Sequence, residues 1–199
     1  MASMRTLVLA STSPRRKSIL TNLDLPFVVA SPKYHEDNSL QILPADLVQH
    51  LAVGKARSLM TDFPDAIIIG SDTLVEFKGK ILPKPRSIKE AVDMLLSLSG
   101  TSHSILTGFA LFDTKSGQVD SGTQKTVITF REIKLEEAQA YVKREDVLGV
   151  AGAYDHEHLG AVFVEYLNGD FYGSVGFPLY KIAESLKNNF EMDPLFLDR

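Results

Sequence analysis

The first part of this chain contains short apolar runs that are separated by a polar stretch. A short apolar run from Thr6 to Leu9 predicts a β-strand, because strands are brief and rich in apolar residues. The polar, proline-containing stretch after it predicts a helix from Pro14 to about Leu23. A further apolar run from Phe27 to Ala30 predicts another strand. The chain therefore begins with a strand, a helix and a strand.

A second helix is predicted where apolar residues recur three and four positions apart. It begins at Pro44 and runs towards Met60, and its buried stripe consists of Leu47, Val48, Leu51 and Ala52. The next run, from Ala66 to Val75, is apolar until the polar stretch Gly70 to Thr73 interrupts it. A continuous apolar run is typical of a central strand. The interruption indicates that this strand carries polar groups at one end.

The rest of the chain shows both patterns without strict alternation. Helices are predicted at Ile88–Leu98, Leu135–Arg144 and Pro178 to about Asn188, and strands at Ser104–Phe112, Gln118–Phe130, Ala161–Tyr166 and Phe171–Val175. Asn168 and Gly169 are expected to turn the last two strands into a hairpin. This mixture of strands and helices indicates an α/β fold with a mixed sheet.

The polar segment from Ser11 to Arg16 is the strongest candidate for binding chemistry. It follows a strand directly, and Ser13 and Pro14 suit the N-cap and first turn of a helix. Free N–H groups and the helix dipole favour an anion at such a place, and Arg15 and Arg16 add forked hydrogen-bond donors for phosphate oxygens. The alternative is an ordinary strand-turn-helix with two solvated arginines. The segment lacks the glycines of a GTPase or kinase phosphate loop.

Charge and composition exclude several classes of function. The formal net charge of −4 argues against a protein that binds nucleic acid through a broad basic surface. The 199 residues include no cysteine, which removes disulfides, thiolate metal sites and a cysteine nucleophile. No apolar run reaches the roughly 20 residues that span a bilayer. We therefore expect a soluble, cytoplasmic protein that partners neither nucleic acid nor membrane.

Two acids and two lysines are candidates for chemistry beside this segment. Asp72 lies at the end of the central strand and Glu36 in a polar loop, and carboxylate oxygens suit Mg²⁺ or Mn²⁺. Lys55 lies one turn beyond the apolar stripe of the second helix, and Lys84 lies between two prolines that stiffen its loop. Each lysine taken alone also fits ordinary surface charge. Glu36 also fits a solvated loop acid, with Asp37 as an alternative ligand.

Further short blocks follow in a fixed order after the Ser11–Arg16 segment. They are Glu36, Leu51–Ala56, Ile67–Thr73, Leu82–Pro85, Leu98–Gly100, Thr107–Gly108, Ala151–Tyr154 and Val175–Leu179. Together these blocks resemble the signature of the Maf family of nucleoside triphosphate pyrophosphatases, over most of the chain. The resemblance implies a single domain over residues 1–199, with an elongated mixed sheet flanked by helices and a cleft between two lobes.

The resemblance also implies an activity and roles for the candidate residues. The activity is hydrolysis of the α–β phosphoanhydride of a nucleoside triphosphate, which releases a nucleoside monophosphate and pyrophosphate. The implied roles make Asp72 the base, Glu36 a ligand of Mg²⁺ or Mn²⁺ and Lys84 a catalytic cation, with the roles of the two acids interchangeable and both acids expected at the metal. The expected substrate-binding residues are Ser11, Arg15, Arg16, Lys55, Thr73 and Glu157. Family members often pair, so a homodimer is a possible assembly.

The segment around Glu157 departs from the family pattern. In the subgroup that prefers dTTP and UTP, an arginine, a threonine and a glutamine read the base. Arg16 and Thr73 match the first two, whereas Glu157 replaces the glutamine. A carboxylate accepts hydrogen bonds but does not donate them as an amide does, which leaves a base with a donor edge, such as a guanine-type base, as an alternative. The neighbouring His156 and His158 leave a zinc site open as a further interpretation.

Two classes of function follow from these observations. The first is a pyrophosphatase acting on dTTP and UTP or on modified nucleotides, as in the removal of unwanted nucleotides. The second is a nucleotide-binding regulator of cell division that does not turn its ligand over. The presence of Asp72, Glu36 and Lys84 favours the enzyme. A purine-selective enzyme of the related inosine triphosphatase fold would cleave the same bond with another base preference.

Overall fold

The structure, a computed structural model, describes residues 5–37 and 40–196 and is a mixed α/β fold. Its described part divides into two compact units. The first unit contains the chain up to Thr73, Thr107–Gln124 and the chain from Tyr172 onward. The second contains Leu74–Leu106 and Lys125–Phe171. Within the described ranges, no helix combines the length and the apolar character needed to cross a membrane.

The predicted strand, helix and strand at the start of the chain are confirmed. They are β1 (Thr6–Ala10), α1 (Pro14–Thr21) and β2 (Phe27–Ala30). The hydroxyl of Ser13 accepts a hydrogen bond from the backbone N–H of Arg16 at 3.4 Å, which makes Ser13 the N-cap of α1. The helix ends at Thr21, slightly before the predicted end.

The second helix and the central strand are also confirmed. They are α2 (Pro44–Arg57) and β3 (Ala66–Phe77). The predicted stripe of α2 is fully buried, and the same face also buries Lys55. A burial of this kind is unusual for a lysine unless it has a partner, so α2 is the element that brings an ammonium group inside the first unit.

The strands form one seven-stranded sheet flanked by helices. The further elements are β4 (Lys80–Leu82), α3 (Ile88–Leu98), β5 (Ser102–Asp113), β6 (Val119–Phe130), α4 (Leu135–Val142), β7 (Val164–Asn168), α5 (Phe171–Ser174) and α6 (Leu179–Phe190). The strand order is β2-β1-β3-β5-β6-β7, and β4 pairs with β3. Strands β1, β2 and β3 run parallel, whereas β4 is antiparallel to β3 and β7 to β6. The sheet is therefore mixed, as the sequence indicates.

Alternate residues of β1 and β3 enter two different apolar clusters of the first unit. Leu7 and Ile67 pack with buried side chains of α1 and α6, whereas Val8 and Ile68 pack with Ala52 and other side chains of α2. Both faces of these strands are therefore covered. This burial explains why their sequences read as continuous apolar runs rather than as alternating ones.

The second unit has its own apolar core, which contains an aromatic group. Phe130 makes edge-to-face contacts with Tyr154 and His103, and Phe163 packs beside it. The ring of His103 is hydrogen-bonded to the hydroxyl of Tyr154, and its other nitrogen is buried with no partner among the described residues. Burial lowers the pKa of His103 to about 4 and raises the pKa of Tyr154 above its usual value. Tyr154 is therefore a residue of this core.

The predicted strand over Phe171–Val175 is wrong, and so is its hairpin. The segment is the short helix α5, and strand β7 begins only at Val164, after a 3₁₀ helix over Leu159–Phe163. Aromatic residues favour a strand locally, but the backbone here bonds to itself and to a side chain. The carbonyl of Gly173 accepts hydrogen bonds from the N–H of Gly176 and from the hydroxyl of Thr107.

Two glycines allow α2 to lie directly on the sheet. A Cβ on Gly108 of β5 would overlap the carbonyl of Val48, and one on Gly70 of β3 would overlap the carbonyl of Ala52. The helix backbone thus approaches two strands more closely than any side chain at those positions permits. These contacts set the depth at which α2 carries its buried lysine.

We predict that Gly108→Ala lowers the free energy of unfolding by about 1–3 kcal/mol, because the added Cβ overpacks the contact between β5 and α2. Urea denaturation checks this expectation. Gly149→Ala is the matched control, since a Cβ there lies 4.0 Å from its nearest neighbour and should change stability by less than about 0.5 kcal/mol. Equal stabilities of the two variants would contradict the interpretation.

Candidate active site

The register of β1 and β3 places two of the predicted segments at the same edge of the sheet. Leu9 of β1 pairs with Ile69 of β3 in a parallel arrangement. The polar segment therefore follows this pair at the carboxyl end of β1, whereas the polar stretch follows it inside β3, which continues to Phe77. Asp72 thus lies within the strand and not at its end, contrary to the prediction, because β3 extends beyond its pairing with β1 to pair with β4. This is the place where an open parallel sheet offers room for a ligand.

The segment after β1 forms one wall of a small open pocket of about 170 Å³. The pocket is lined by Ala10, Ser11, Thr12, Ser13, Arg16, Pro32, Glu36 and Lys55. The backbone N–H of Ser13 donates to the hydroxyl of Ser11 at 3.1 Å, so the turn into α1 is held locally. The volume is below the roughly 300 Å³ at which sites for whole drug-sized ligands begin. It suits the phosphate end of a nucleotide rather than a complete one.

Lys55 joins the two candidate acids. Its Nζ lies 2.6 Å from Oδ1 of Asp72 and 2.8 Å from Oε1 of Glu36. The side chains of Lys55 and Asp72 are about nine-tenths buried, with exposed fractions of 9% and 10%, whereas that of Glu36 is 42% exposed. The structure therefore brings together both predicted acids and one predicted lysine, around a single ammonium group.

The electrostatics of Asp72 reflect two opposing effects. Burial raises its pKa above the usual value for an aspartate, and the charge and hydrogen bond of Lys55 act against this rise. The charge of Arg16 acts in the same direction as that of Lys55. Asp72 is thus a buried carboxylate whose ionised form depends on nearby cations.

Arg16 is held in place by the protein on the wall of the pocket. Its Nε donates to the carbonyl of Gly176 at 2.9 Å, and its Nη2 donates to the hydroxyl of Thr73 at 3.3 Å. Burial lowers the pKa of this guanidinium, and the charge of Asp72 counteracts the effect. Gly176 has a φ of +100°, and a Cβ there would approach the Thr73 hydroxyl to 2.9 Å. Only glycine fits this contact without strain.

The hydroxyl groups behind Arg16 form a chain with one direction. The hydroxyl of Thr107 donates to the carbonyl of Gly173 at 2.8 Å, so its oxygen accepts from Thr73, which lies 3.1 Å away. The Thr73 hydroxyl therefore donates its only proton to Thr107 and accepts a hydrogen bond from Arg16. Towards a ligand, Thr73 offers its one remaining oxygen lone pair rather than a proton.

The structure places other predicted site residues elsewhere. Lys84 and Glu157 belong to the second unit, and both are exposed. The loop of Lys84 is fastened by its neighbour Pro83, whose carbonyl accepts from the N–H of Gly152 at 3.3 Å. Arg15 is exposed at the start of α1.

The histidines near Glu157 do not provide a zinc site within the described residues. His158 Nδ1 lies 3.2 Å from Oδ2 of Asp155, and the ring of His156 packs against Phe171. In that part of the chain, as in the rest that the structure describes, no cluster of three or more His, Cys, Asp or Glu side chains is arranged to hold a metal ion.

Sequence reasoning assigned no role to three residues that organise this site. They are Ser71, Thr107 and Gly176. Ser71 is fully buried, and its hydroxyl lies 2.9 Å from the carbonyls of both Gly108 and Gly176. Ser71 and Thr107 are polar residues within otherwise apolar strands, and this pattern is the signal that the sequence offers for them. Their hydrogen-bond partners are far away in the sequence, so the pattern does not identify these partners.

We predict that Lys55→Met lowers the free energy of unfolding by about 3–5 kcal/mol, because it leaves the buried Asp72 without its cation. Lys55 acts against the burial that raises the folded-state pKa of Asp72, so its removal raises this pKa further, and the folded variant takes up a proton at higher pH than the unaltered protein. The deficit should therefore be larger at pH 8 than at pH 5 in urea denaturation. Adding Asp72→Asn to the variant should restore part of the loss. A deficit independent of both pH and the second substitution would contradict this explanation.

Comparison with known proteins identifies the family of this chain. The model of the Maf-like protein family matches residues 6–189. The 7-methyl-GTP pyrophosphatase of Syntrophotalea carbinolica is 40% identical over 92% of this chain and 94% of its own length. The dTTP/UTP pyrophosphatase of Symbiobacterium thermophilum is 39% identical over 92% of this chain and 93% of its own.

Among solved structures, the Ham1 protein of Staphylococcus aureus covers 63% of this chain and 71% of its own, with 12% identity and a TM-score of 0.45. The family model and the two relatives each cover most of the chain. The chain belongs to the Maf-like family.

Proposed function

We propose that this protein is a nucleoside triphosphate pyrophosphatase, which hydrolyses the α–β phosphoanhydride and releases a nucleoside monophosphate and pyrophosphate. The observation that carries this proposal is the Lys55 ammonium, which holds Asp72 and Glu36 together at a pocket built on a helix N-terminus. The two relatives are named for the substrates 7-methyl-GTP and dTTP/UTP, and both names support this proposal.

The pocket supplies the phosphate-binding part of the reaction. The positive end of the α1 dipole and the guanidinium of Arg16 attract negative charge to this pocket, and Ser11 and Ser13 shape the turn between them. Arg15 adds a second guanidinium at the same helix start. Positive groups fixed in this way stabilise charge as it develops on the phosphate oxygens during cleavage.

Lys84 would serve the departing pyrophosphate. Its loop is stiffened by Pro83 and Pro85 and fastened by the hydrogen bond from Gly152. A lysine on a fixed loop offers a point charge that need not be ordered during the reaction.

The carboxylates of Asp72 and Glu36 fit a divalent cation. Mg²⁺ usually takes one or two carboxylates from the protein and completes its coordination with substrate phosphates and water. The chain offers these two carboxylates near the phosphate pocket, so Asp72 and Glu36 would hold Mg²⁺ or Mn²⁺. When bound, the cation offsets phosphate charge and makes an attacking water more acidic.

Asp72 is our assignment for the base that takes a proton from water, with Glu36 as the other ligand. Asp72 is buried, and its raised pKa brings it closer to neutral pH than an ordinary aspartate. Glu36 is more exposed and lines the pocket, which suits the other ligand of the cation. The ammonium of Lys55 acts against the effect of burial on the pKa of Asp72.

The identity of the base would depend on Arg16, Thr73 and Glu157. Arg16 is anchored with donors remaining for a ligand, and Thr73 presents one remaining lone pair. Glu157 contributes acceptors only, because a carboxylate has no N–H. We therefore propose pyrimidine or modified-base nucleoside triphosphates as the substrate class, with Glu157 deciding between them.

We predict that Asp72→Asn lowers kcat for pyrophosphate release by about 100-fold or more, because an amide is not a base. The measurement is release of pyrophosphate in the presence of Mg²⁺ or Mn²⁺ from dTTP, 7-methyl-GTP and the four canonical ribonucleoside triphosphates, UTP among them. Asp93→Asn, which removes a charge from an exposed pair on α3, is the control and should keep full activity. Tight nucleotide binding without release by the unaltered protein would support the regulatory function instead.

We predict that Glu157→Gln raises kcat/KM for dTTP and UTP relative to 7-methyl-GTP by about tenfold, since the amide adds a donor and removes a charge. The ratio of the two values is the readout, so a general loss of activity does not affect it. An unchanged ratio would remove Glu157 from the base-reading set.

A further inference from the structure

We propose that Tyr34 is a positioning residue that holds Glu36 against Lys55 by packing its ring on Gly54. The proposal rests on the function proposed above, because it gives Glu36 its place in that site. Tyr34 lies two residues before Glu36, and Gly54 lies one residue before Lys55. The contact therefore joins the two segments that carry the ion pair.

The ring of Tyr34 occupies the space that a side chain at position 54 would need. A Cβ on Gly54 would overlap the ring atoms Cζ and Cε2 of Tyr34 and would lie 2.8 Å from Cε1. A glycine inside a helix weakens that helix relative to alanine. Gly54 lies inside α2, where its backbone is helical, so space for the ring is the structural reason for a glycine here.

This contact is one of several that hold residues 33–36 against α2 and the turn that follows it. The backbone N–H of Lys33 donates to the hydroxyl of Ser58 at 3.0 Å, and that hydroxyl donates to the carbonyl of Lys55 at 2.8 Å. The ammonium of Lys33 also lies 2.7 Å from Oδ2 of Asp62. Tyr34 thus lies between an anchor at Lys33 and the ion pair at Glu36.

Glu36 needs a second contact to fix its position, because it is the less firmly held member of the ion pair. Its side chain is 42% exposed and its backbone is irregular, whereas Lys55 is buried on a helix. An exposed ion pair is screened by solvent and costs side-chain entropy, so it does not fix a coil segment by itself. A packed aromatic ring two residues away restricts the backbone from which Glu36 projects.

Loss of the contact should impair the chemical step rather than nucleotide binding. The walls of the phosphate pocket at Ser11, Ser13 and Arg16 do not depend on the ring of Tyr34. A displaced carboxylate, in contrast, changes the geometry at the reacting phosphorus, and small displacements of this kind cost roughly ten- to hundredfold in rate. The expected signature is a fall in kcat with KM nearly unchanged.

Three variants test this contact from both sides. Gly54→Ala fills the space of the ring with a better helix former, Tyr34→Ala removes the ring, and Tyr34→Phe keeps it. His50→Ala is the matched control for Gly54→Ala, because His50 is exposed on α2 one turn earlier. The double variant Gly54→Ala/Tyr34→Ala should be no slower than the slower single variant, since each single change removes the same contact.

Two readouts separate this proposal from the function on which it rests. The first is kcat and KM for the best nucleoside triphosphate of the panel. The second is amide hydrogen exchange of the peptide containing residues 31–37, which reports docking of the segment whether or not the protein is an enzyme. Thermal unfolding of each variant shows that it remains folded.

Support for the proposal is a fall in kcat of roughly tenfold or more for Gly54→Ala and Tyr34→Ala, with faster exchange of that peptide. Tyr34→Phe and His50→Ala should behave like the unaltered protein. Normal kcat in Gly54→Ala and Tyr34→Ala would overturn the proposal. If the unaltered protein releases no pyrophosphate, the proposed function fails, and unchanged exchange in Gly54→Ala would then overturn the positioning of this segment as well.

Discussion

The ammonium group of Lys55 is the interaction on which the rest of the site depends. Two carboxylates that are distant in sequence meet at this one cation, at 2.6 and 2.8 Å. A buried carboxylate without a partner is unfavourable, and two carboxylates side by side repel each other. The ammonium of Lys55 offsets both effects, so the carboxylates of Asp72 and Glu36 can lie side by side.

The position of Lys55 follows from backbone packing rather than from charge. Strands β3 and β5 offer glycines where α2 crosses them, and the helix settles onto the sheet at those points. A larger residue at Gly70 or Gly108 would lift the helix and move the ammonium away from Asp72. The glycine at position 54 belongs to the same helix but faces a different neighbour, the ring of Tyr34. One helix therefore joins sheet packing, the ion pair and the loop of Glu36.

Sequence reasoning found the parts of this site whose signals are local. The N-cap Ser13, the start of α1 at Pro14 and the strand that delivers Asp72 all follow from short patterns of apolar and polar residues. The order of family blocks brought Glu36 and Lys55 into the same hypothesis. The mixed sheet was predictable because strand and helix patterns follow one another without strict alternation. The burial of both faces of β1 and β3 explains the continuous apolar character of their sequences.

The missed features depend on contacts between distant residues. The aromatic stretch at Phe171 favours a strand, but its backbone groups are used by Thr107 and by local turns, so a helix forms. The short strand β4 escaped notice because only its pairing with β3 makes three residues a strand. The joint roles of Ser71 and Gly176 were equally hidden, since their partners lie more than a hundred residues apart.

The anchoring of Arg16 has a consequence for the cost of recognition. A free arginine samples many rotamers, and fixing it on a ligand costs about 1–2 kcal/mol of conformational entropy. Here the Nε and Nη2 bonds to Gly176 and Thr73 have already restricted the guanidinium before any ligand arrives. The conformational entropy of this side chain is lost when the protein folds and not when a ligand binds. New contacts of Arg16 with a ligand therefore contribute more fully to affinity. Arg16 is in this sense a preorganised part of the scaffold.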